Sequence, residues 1–156
     1  MKIRNYRAGD EASLWTIFYH TIRRVNIQDY TAEQVEAWAL DAVNEAMWRE
    51  KIEGIKPYVI EHEGKLIGYA DLQDDGYIDH FFCHHDWQRR GVGSLLMQKI
   101  HDEANKRDIR RLYSNVSITA KPFFLAKGFE VVKEQSVTIR GQVLKNFYMQ
   151  KHIRHN

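Results

Sequence analysis

The sequence has little cysteine and no long apolar run. Cys83 is the only cysteine among 156 residues, which excludes a disulfide framework and a four-thiolate zinc site. Apolar runs such as Tyr58–Ile60 are far shorter than the roughly 18 residues that cross a membrane. The first residues, Met1–Asn5, also lack the apolar core of a signal peptide. We therefore expect a cytoplasmic protein that does not bind membranes.

The chain also lacks an excess of charge of either sign. Its 23 Lys and Arg residues against 21 Asp and Glu residues give a net charge of +2, which argues against nucleic acid as a partner. Hydrophobic residues make up 44% of the chain, enough to form a core. Because no repeat, linker or low-complexity stretch interrupts the sequence, we expect one domain spanning residues 1–156.

Hydrophobic periodicity predicts alternating helices and strands. The predicted elements are a strand at 2–6, helices at 10–24 and 31–42, strands at 58–60, 66–70 and 77–84, a helix from 91 to about 104, a strand at 112–116, a helix at 119–127, and strands at 129–139 and 143–149. Asp10 and Thr31 are the predicted N-caps, with Gln34 completing a capping box. The order β-α-α-β-β-β-α-β-α-β-β indicates an α/β (α+β) domain.

The most informative segment is Gln88–Ser94, which joins the aromatic strand at 77–84 to the following helix. A helix start leaves backbone N–H groups unpaired and favours anions. Gly91 and Gly93 let a phosphate approach those amides, and Arg89 and Arg90 add positive charge. The segment lacks the third glycine of a dinucleotide fingerprint and the Gly-Lys-Ser/Thr ending of a P-loop.

These residues resemble the signature of the GNAT N-acetyltransferase superfamily, Gln/Arg-x-x-Gly-x-Gly/Ala. A second pattern of that superfamily, small residues followed by Ala-x-x-Phe-Tyr-x-x-x-Gly-Phe, is similar to a later stretch of this chain. It comprises Ser117, Ala120, Phe123, Phe124, Gly128 and Phe129. The segments Tyr30–Trp38 and Thr119–Phe124 further resemble the YafP-like branch.

The resemblance implies a mixed, mostly antiparallel sheet flanked by helices, with acetyl-coenzyme A as cosubstrate and no metal. The pyrophosphate would lie on the amides of Arg89 to Ser94, and the pantetheine would pair with backbone groups of Phe82 and Cys83 in the preceding strand. One of those amides could stabilise the oxyanion formed at the thioester carbonyl. The cofactor-binding residues implied are Phe82, Cys83, Gln88, Arg89, Arg90, Gly91, Val92, Gly93, Ser94, Ser117 and Phe124.

Direct transfer to an amine also needs a base. Asp79 is the first candidate, on the strand face of Phe81 and Cys83 if alternation holds, and His80 is the alternative on the opposite face. The tyrosine that commonly protonates the leaving thiolate in this superfamily is Phe124 here, which has no proton to give.

Four substitutes for that tyrosine remain open: Tyr148, Tyr113, Ser117 or water. The side chain of Cys83 is expected to be a small buried hydrophobe, not a nucleophile. A zinc site at His80, Cys83, His84 and His85 is disfavoured because alternation splits them, with His80 and His84 on one face.

The amine acceptor is not identified by the sequence. Tyr30 and Trp38, with Trp48 as a further candidate, are predicted to line its site, although core packing explains Trp38 equally well. Phe124 motivates an alternative function, a catalytically weakened acyl-coenzyme A-binding regulatory domain. A nucleic-acid-binding domain is a third class. Edge strands in the late hairpin would permit a homodimer.

Overall fold

The computed structural model describes residues 1–154. Its helices are α1 (Glu11–Arg24), α2 (Ala32–Trp38), α3 (Glu45–Ile55), α4 (Val92–Lys106) and α5 (Lys121–Ala126). Its strands are β1 (Lys2–Asn5), β2 (Tyr58–His62), β3 (Lys65–Ala70), β4 (Tyr77–Ile78), β5 (Phe81–Cys83), β6 (Arg111–Ser117), β7 (Glu130–Ile139) and β8 (Gln142–His152). Single 3-10 turns at Asn26–Gln28 and His85–Trp87 follow α1 and β5.

The strands form two four-stranded sheets, in the orders β1-β2-β3-β5 and β4-β6-β8-β7. All pairs are antiparallel except β4 with β6, which is parallel. The two sheets are joined at the step from β4 to β5, because the chain leaves the second sheet after Ile78 and enters the first at Phe81. The predicted fold class, a mostly antiparallel sheet flanked by helices, is confirmed.

Two hydrophobic clusters flank the first sheet. Strand β2 contributes to both, because successive side chains point to opposite faces. Tyr58 and Ile60 belong to the cluster that holds the buried faces of α4 and α5, whereas Val59 belongs to the cluster of α1, α2 and α3. The helices therefore form two layers, and β5 lies between them.

The structure corrects several predicted elements. The strand predicted at 77–84 is broken at Asp79 and His80, and the helix predicted at 31–42 ends at Trp38. Helix α3 was missed, although its buried residues Trp48, Ile52 and Ile55 have helical spacing. The last strand, predicted at 143–149, is longer, because β8 pairs with β6 as far as His152.

Of the two predicted N-caps, only one has the expected chemistry. Thr31 and Gln34 form the reciprocal capping box at the start of α2. Asp10 precedes α1 but makes no side-chain cap bond, because its carboxylate instead pairs with Arg4 at 2.9 Å and accepts from the N–H of Arg7. None of the helices in residues 1–154 is long and apolar enough to cross a membrane.

Candidate active site

A cleft opens where the two sheets separate. Tyr77 and Ile78 lie beside Tyr113 and Ser114 in the parallel pair, but beyond this point β5 follows β3 while β6 follows β8. The gap between β5 and the end of β6 contains a cavity of about 1160 Å³. Residues from both sheets, from α1 and from the start of α4 line it.

The hydrogen-bond alternation of β3 and β5 determines which backbone groups face this cleft. The N–H of Asp71 donates to the carbonyl of His80, and that of His84 donates to the carbonyl of Ile67. Hydrogen-bonded and non-hydrogen-bonded residue pairs alternate along an antiparallel ladder. Tyr69 and Phe82, midway between these two bonded pairs, therefore form the next hydrogen-bonded pair. The backbone groups of Phe82 therefore point to β3.

The flanking residues Phe81 and Cys83 present their backbone groups to the opposite side, where the cleft lies. The carbonyl of Cys83 is already bound, because it accepts hydrogen bonds from Thr21 Oγ1 at 2.9 Å and Gln88 Nε2 at 2.7 Å. The N–H groups of Phe81 and Cys83 and the carbonyl of Phe81 remain directed into the cleft. The backbone groups of Phe82, which were expected to pair with the pantetheine, therefore face β3, while the side chain of Phe82 lines the cavity.

The glycine-rich segment forms an open turn at the start of α4. Arg89 and Gly91 both have positive φ angles, +59° and +86°, which suits glycine at position 91. No atom lies within 4 Å of the place where a Cβ at Gly91 would be, so the approach to the helix start is clear. The first helical bond runs from the N–H of Leu95 to the carbonyl of Gly91. The N–H groups of Val92, Gly93 and Ser94 are therefore the ones an anion would meet.

Gly93 lies against the floor of the cleft. A Cβ at this position would stand 3.0 Å from the ring of Phe123 and 3.6 Å from Cys83 Sγ. A side chain here would therefore crowd both α5 and β5. Gly93 keeps the first turn of α4 close to the strand that carries the cleft-facing amides.

Three predicted cofactor residues have other roles in the structure. The Arg90 guanidinium lies 4.1 Å from the centre of the Trp87 ring, and Arg90 does not line the cavity. Val92 is a buried core residue, so only its N–H can serve the site. Gln88 lines the cavity, but its amide is bound to the carbonyls of Cys83 and His84.

The other predicted cofactor residues meet at the cavity wall. They are Cys83, Arg89, Gly91, Gly93, Ser94, Ser117 and Phe124. One cation at the helix start was missed by the sequence analysis, because it follows the start of α4 by more than thirty residues. Lys127 Nζ donates to Ser94 Oγ at 2.8 Å and so brings an ammonium group to the predicted phosphate site.

Asp79 and His80 lie at the break between β4 and β5. The carboxylate of Asp79 forms a close ion pair with Lys51 on α3, and Asp79 lines the cavity. His80 stacks on Phe18 of α1, with ring centres 5.6 Å apart. Both residues thus contact the α1–α3 layer. The expected alternation, with the two on opposite faces, is wrong because the strand is interrupted at these two residues.

The environment of His80 makes it a poor base. Burial lowers the pKa of its imidazole to about 4, so the ring is neutral at pH 7. Its Nδ1 lies 3.0 Å from the hydroxyl of the buried Tyr69. A tyrosine hydroxyl in the core needs an acceptor, and Nδ1 supplies it, which places the ring proton on Nε2. Asp79 remains the candidate base.

The remaining catalytic candidate, Tyr148, is not brought to the cleft. Its hydroxyl accepts a hydrogen bond from Arg111, and Tyr148 does not line the cavity. Tyr113 likewise binds Asp75 outside it. Tyr77 does line the cavity, beside Asn115, whose amide lies 3.4 Å from the tyrosine hydroxyl. Burial raises the pKa of Tyr77 above its ordinary value.

The predicted acceptor residues Tyr30 and Trp38 line the cavity as a pair. Their rings meet edge to face with centres 5.6 Å apart. The hydroxyl of Tyr30 donates to the carbonyl of Lys145 at 2.6 Å and accepts from the N–H of Ile118 at 2.9 Å. Tyr30 therefore also fixes the end of β6 against β8. Trp48 packs instead against Trp15 and Phe18 in the core.

The thiol of Cys83 is partly buried beside Gly93, and this burial raises its pKa to about 12. It is therefore protonated at neutral pH and unsuited to nucleophilic attack. The neighbouring His84 and His85 were expected on opposite faces, but the 3-10 turn stacks their rings, with centres 4.4 Å apart. One ligand atom each of His84, His85 and the neighbouring Asp86 lie within 4.8 Å of one another, so these three residues are close enough to hold a metal ion.

Comparisons with known proteins agree with this geometry. Residues 26–151 match the family described as "Acetyltransferase (GNAT) domain". The chain is 35% identical to "Uncharacterized N-acetyltransferase YafP" of Escherichia coli K12, over 96% of this chain and 94% of that protein.

Two solved structures share the fold. A GCN5-related N-acetyltransferase from Rhodopseudomonas palustris superposes with a TM-score of 0.92 at 30% identity, covering 97% of this chain and 95% of the other. A second is YncA from Salmonella typhimurium, described as a putative acetyltransferase with its cofactor acetyl-CoA. It has a TM-score of 0.70 at 20% identity, covering 100% and 95% of the two chains.

The fold, the parted strands and the glycine-rich helix start together define an N-acetyltransferase. The chain belongs to the acetyltransferase (GNAT) family. Its similarity to YafP over nearly the whole length confirms the predicted YafP-like branch.

Proposed function

We propose that the protein transfers the acetyl group of acetyl-coenzyme A directly to a primary amine of a small molecule or peptide. One observation carries this proposal: the cleft-facing N–H groups of Phe81 and Cys83 and the open start of α4 border the same cavity. The first can bind an amide-bearing arm as a strand would, and the second can bind phosphate.

The fit of coenzyme A follows from this arrangement. Its pyrophosphate lies on the N–H groups of Val92, Gly93 and Ser94, with Arg89 and Lys127 as nearby cations. Its pantetheine arm extends along β5 and pairs with the backbone of Phe81 and Cys83. The same edge supplies an N–H that can donate to the thioester oxygen as negative charge develops there.

The acceptor enters from the side of Tyr30, Trp38 and Asp79. A primary amine is a cation at neutral pH, and the carboxylate of Asp79 attracts it. Asp79 then takes one proton, directly or through water, and the neutral amine forms the new N–C bond while the C–S bond of the thioester breaks. The second proton, which the nitrogen loses to become an amide, passes through water to the departing thiolate. Lys51 holds the carboxylate in place through its ion pair.

The departing thiolate receives no proton from Phe124, which lies buried in the cleft wall. A thiol has an ordinary pKa of roughly 8.5, so its thiolate is a tolerable leaving group and can be protonated by water. The proposed reaction therefore proceeds without a tyrosine acid, at a cost of at most about 10²–10⁴ in rate.

The same phenylalanine favours one alternative function, an acyl-coenzyme A-binding domain with weakened catalysis. Both functions predict that coenzyme A raises the melting temperature. They differ in turnover. Free thiol released from acetyl-coenzyme A in the presence of a panel of primary amines supports the transferase. Thermal stabilisation by coenzyme A with no release for any amine would support the binding domain, and no stabilisation would contradict both.

A further inference from the structure

Asp71, directly after β3, has a buried carboxylate that binds consecutive backbone N–H groups of another segment. The residue is 0% exposed. Its Oδ1 accepts from the N–H of His80 at 2.6 Å and from the N–H of Asp79 at 3.0 Å. Its Oδ2 accepts from Gln73 Nε2 at 2.6 Å. The N–H of Asp71 in turn donates to the carbonyl of His80 at 3.2 Å.

This arrangement replaces strand pairing at the break between β4 and β5. In a regular strand, consecutive N–H groups point to opposite neighbours. Here the N–H groups of Asp79 and His80 converge on one side chain, so the chain turns from the second sheet into the first. Without the carboxylate, buried N–H groups would lose their acceptor.

The residues held in this way are the ones beside the cleft. Asp79 pairs with Lys51 and lines the cavity, and His80 packs on Phe18. Asp71 itself does not line the cavity. Any influence on transfer must therefore act through the backbone at the break.

We propose that Asp71 is a positioning residue: its carboxylate, through the N–H groups of Asp79 and His80, fixes the break that aims Asp79 at the acceptor amine. The inference rests on the proposed function. It predicts that loss of the carboxylate lowers turnover while the start of α4, and with it coenzyme A binding, stays intact.

The charged and titratable groups around Asp71 include Asp79 and His80 at the break and the hydroxyls of Tyr58, Tyr69 and Tyr77 on the neighbouring strands. They also include Arg107, which donates to the carbonyl of Leu72 and to the hydroxyl of Tyr58. Burial is the largest effect on the carboxyl and raises its pKa to about 6. Protonation would turn one accepting oxygen into a donor facing the amide of Gln73. The hydrogen bonds that Asp71 accepts from the N–H groups of Asp79 and His80 should therefore weaken in mildly acidic solution.

The test compares Asp71→Ala and Asp71→Asn with Asp74→Asn, a matched change at an exposed residue a few positions away. We expect Asp71→Ala to lower kcat by about 10- to 100-fold with an unchanged Kd for coenzyme A. Asp71→Asn keeps one accepting oxygen, so its kcat should fall less. The kcat of Asp74→Asn should be unchanged. The double variant Asp71→Ala/Asp79→Asn should be no slower than Asp79→Asn alone, because Asp71 acts through Asp79.

A further readout uses the unaltered protein. The amide signals of Asp79 and His80 should shift together in NMR spectra as pH falls from about 7 to 5, around the pKa that burial gives Asp71. This measurement stands even if Asp71→Ala does not fold.

The proposal would be overturned by unchanged kcat in both Asp71 variants, by additive losses in the double variant, or by amide signals that do not respond to pH. These outcomes are distinct from failure of the proposed function. In that case the unaltered protein itself would release no thiol with any amine.

Discussion

The side-chain amide of Gln88 donates a hydrogen bond to the carbonyl of Cys83 at 2.7 Å. Gln88 begins the glycine-rich segment, and Cys83 ends β5, so this bond joins the two halves of the candidate site. It also occupies the Cys83 carbonyl, which leaves the N–H of Cys83 and the backbone of Phe81 to face the cleft. Gln88 therefore links the end of β5 to the segment that leads into α4.

Gly91 should be essential for coenzyme A binding and dispensable for folding. Its surroundings are open, so Gly91→Asp adds a carboxylate where the pyrophosphate would lie, and the two negative charges repel. We expect coenzyme A to raise the melting temperature of the original protein but not of this variant. The matched control is Gly64→Asp, since Gly64 also has a positive φ angle and open surroundings but lies in the β2–β3 hairpin. If coenzyme A raised the melting temperature of both variants equally, the result would contradict a pyrophosphate site at this turn.

Asp79→Asn should lower kcat by about 10²–10⁴ without changing the Kd for coenzyme A. The amide cannot accept the amine proton, but its shape is preserved. Activity should recover partly at high pH, where a larger fraction of the acceptor is already neutral. Steady-state kinetics across pH, with Asp74→Asn as the control, measure this. Full activity of Asp79→Asn at neutral pH would assign the base to another group.

Cys83→Ala should keep most of the activity. Burial raises the pKa of the thiol to about 12, so the nucleophilic thiolate is scarce at neutral pH. Thiol release measured with an amine acceptor provides the comparison. Complete loss of turnover with normal coenzyme A binding, or an acetylated Cys83 in mass spectra of the original protein, would instead indicate a covalent intermediate.

His80 should make the fold less stable in acid. Its pKa is about 4 in the folded chain against 6.5 ordinarily, so the unfolded chain binds a proton first as pH falls. Its contribution to the free energy of unfolding is therefore full above about pH 6.5 and is lost progressively towards pH 4, by about 2–3 kcal/mol. Urea unfolding at pH 7 and 4.5 should show a smaller acid loss for His80→Phe than for the original protein. Equal losses would contradict the neutral, buried imidazole.

Much of the fold could be predicted from the sequence because its elements have strong local signals. The Thr31–Gln34 capping box is present, and β2 and β3 include the strands predicted at 58–60 and 66–70. The break at Asp79–His80 could not be predicted, since the carboxylate that accepts from both N–H groups belongs to Asp71, which follows another strand. Strict alternation therefore assigned the wrong faces to residues on that strand.

The candidate site divides in the same way. Gly91, Gly93 and Ser94 occur in a contiguous motif, and the structure brings them to the cavity wall. Lys127 has no signal in that motif, because only the packing of α5 beside α4 brings it to Ser94. Whether the backbone of Phe81 or that of Phe82 faces the cleft depends on the hydrogen-bond phase of the β3–β5 ladder, which the sequence of a single strand does not encode.

The most direct test of the account is an NMR titration of the nitrogen-15-labelled protein with coenzyme A. At saturation, the amide signals of Val92, Gly93 and Ser94 should shift with those of Phe81 and Cys83. The amide of Phe82, which is directed to β3, should stay protected from hydrogen exchange throughout. Saturable binding of coenzyme A without a shift in the amide signals at the helix start or along β5 would contradict the proposed cofactor site.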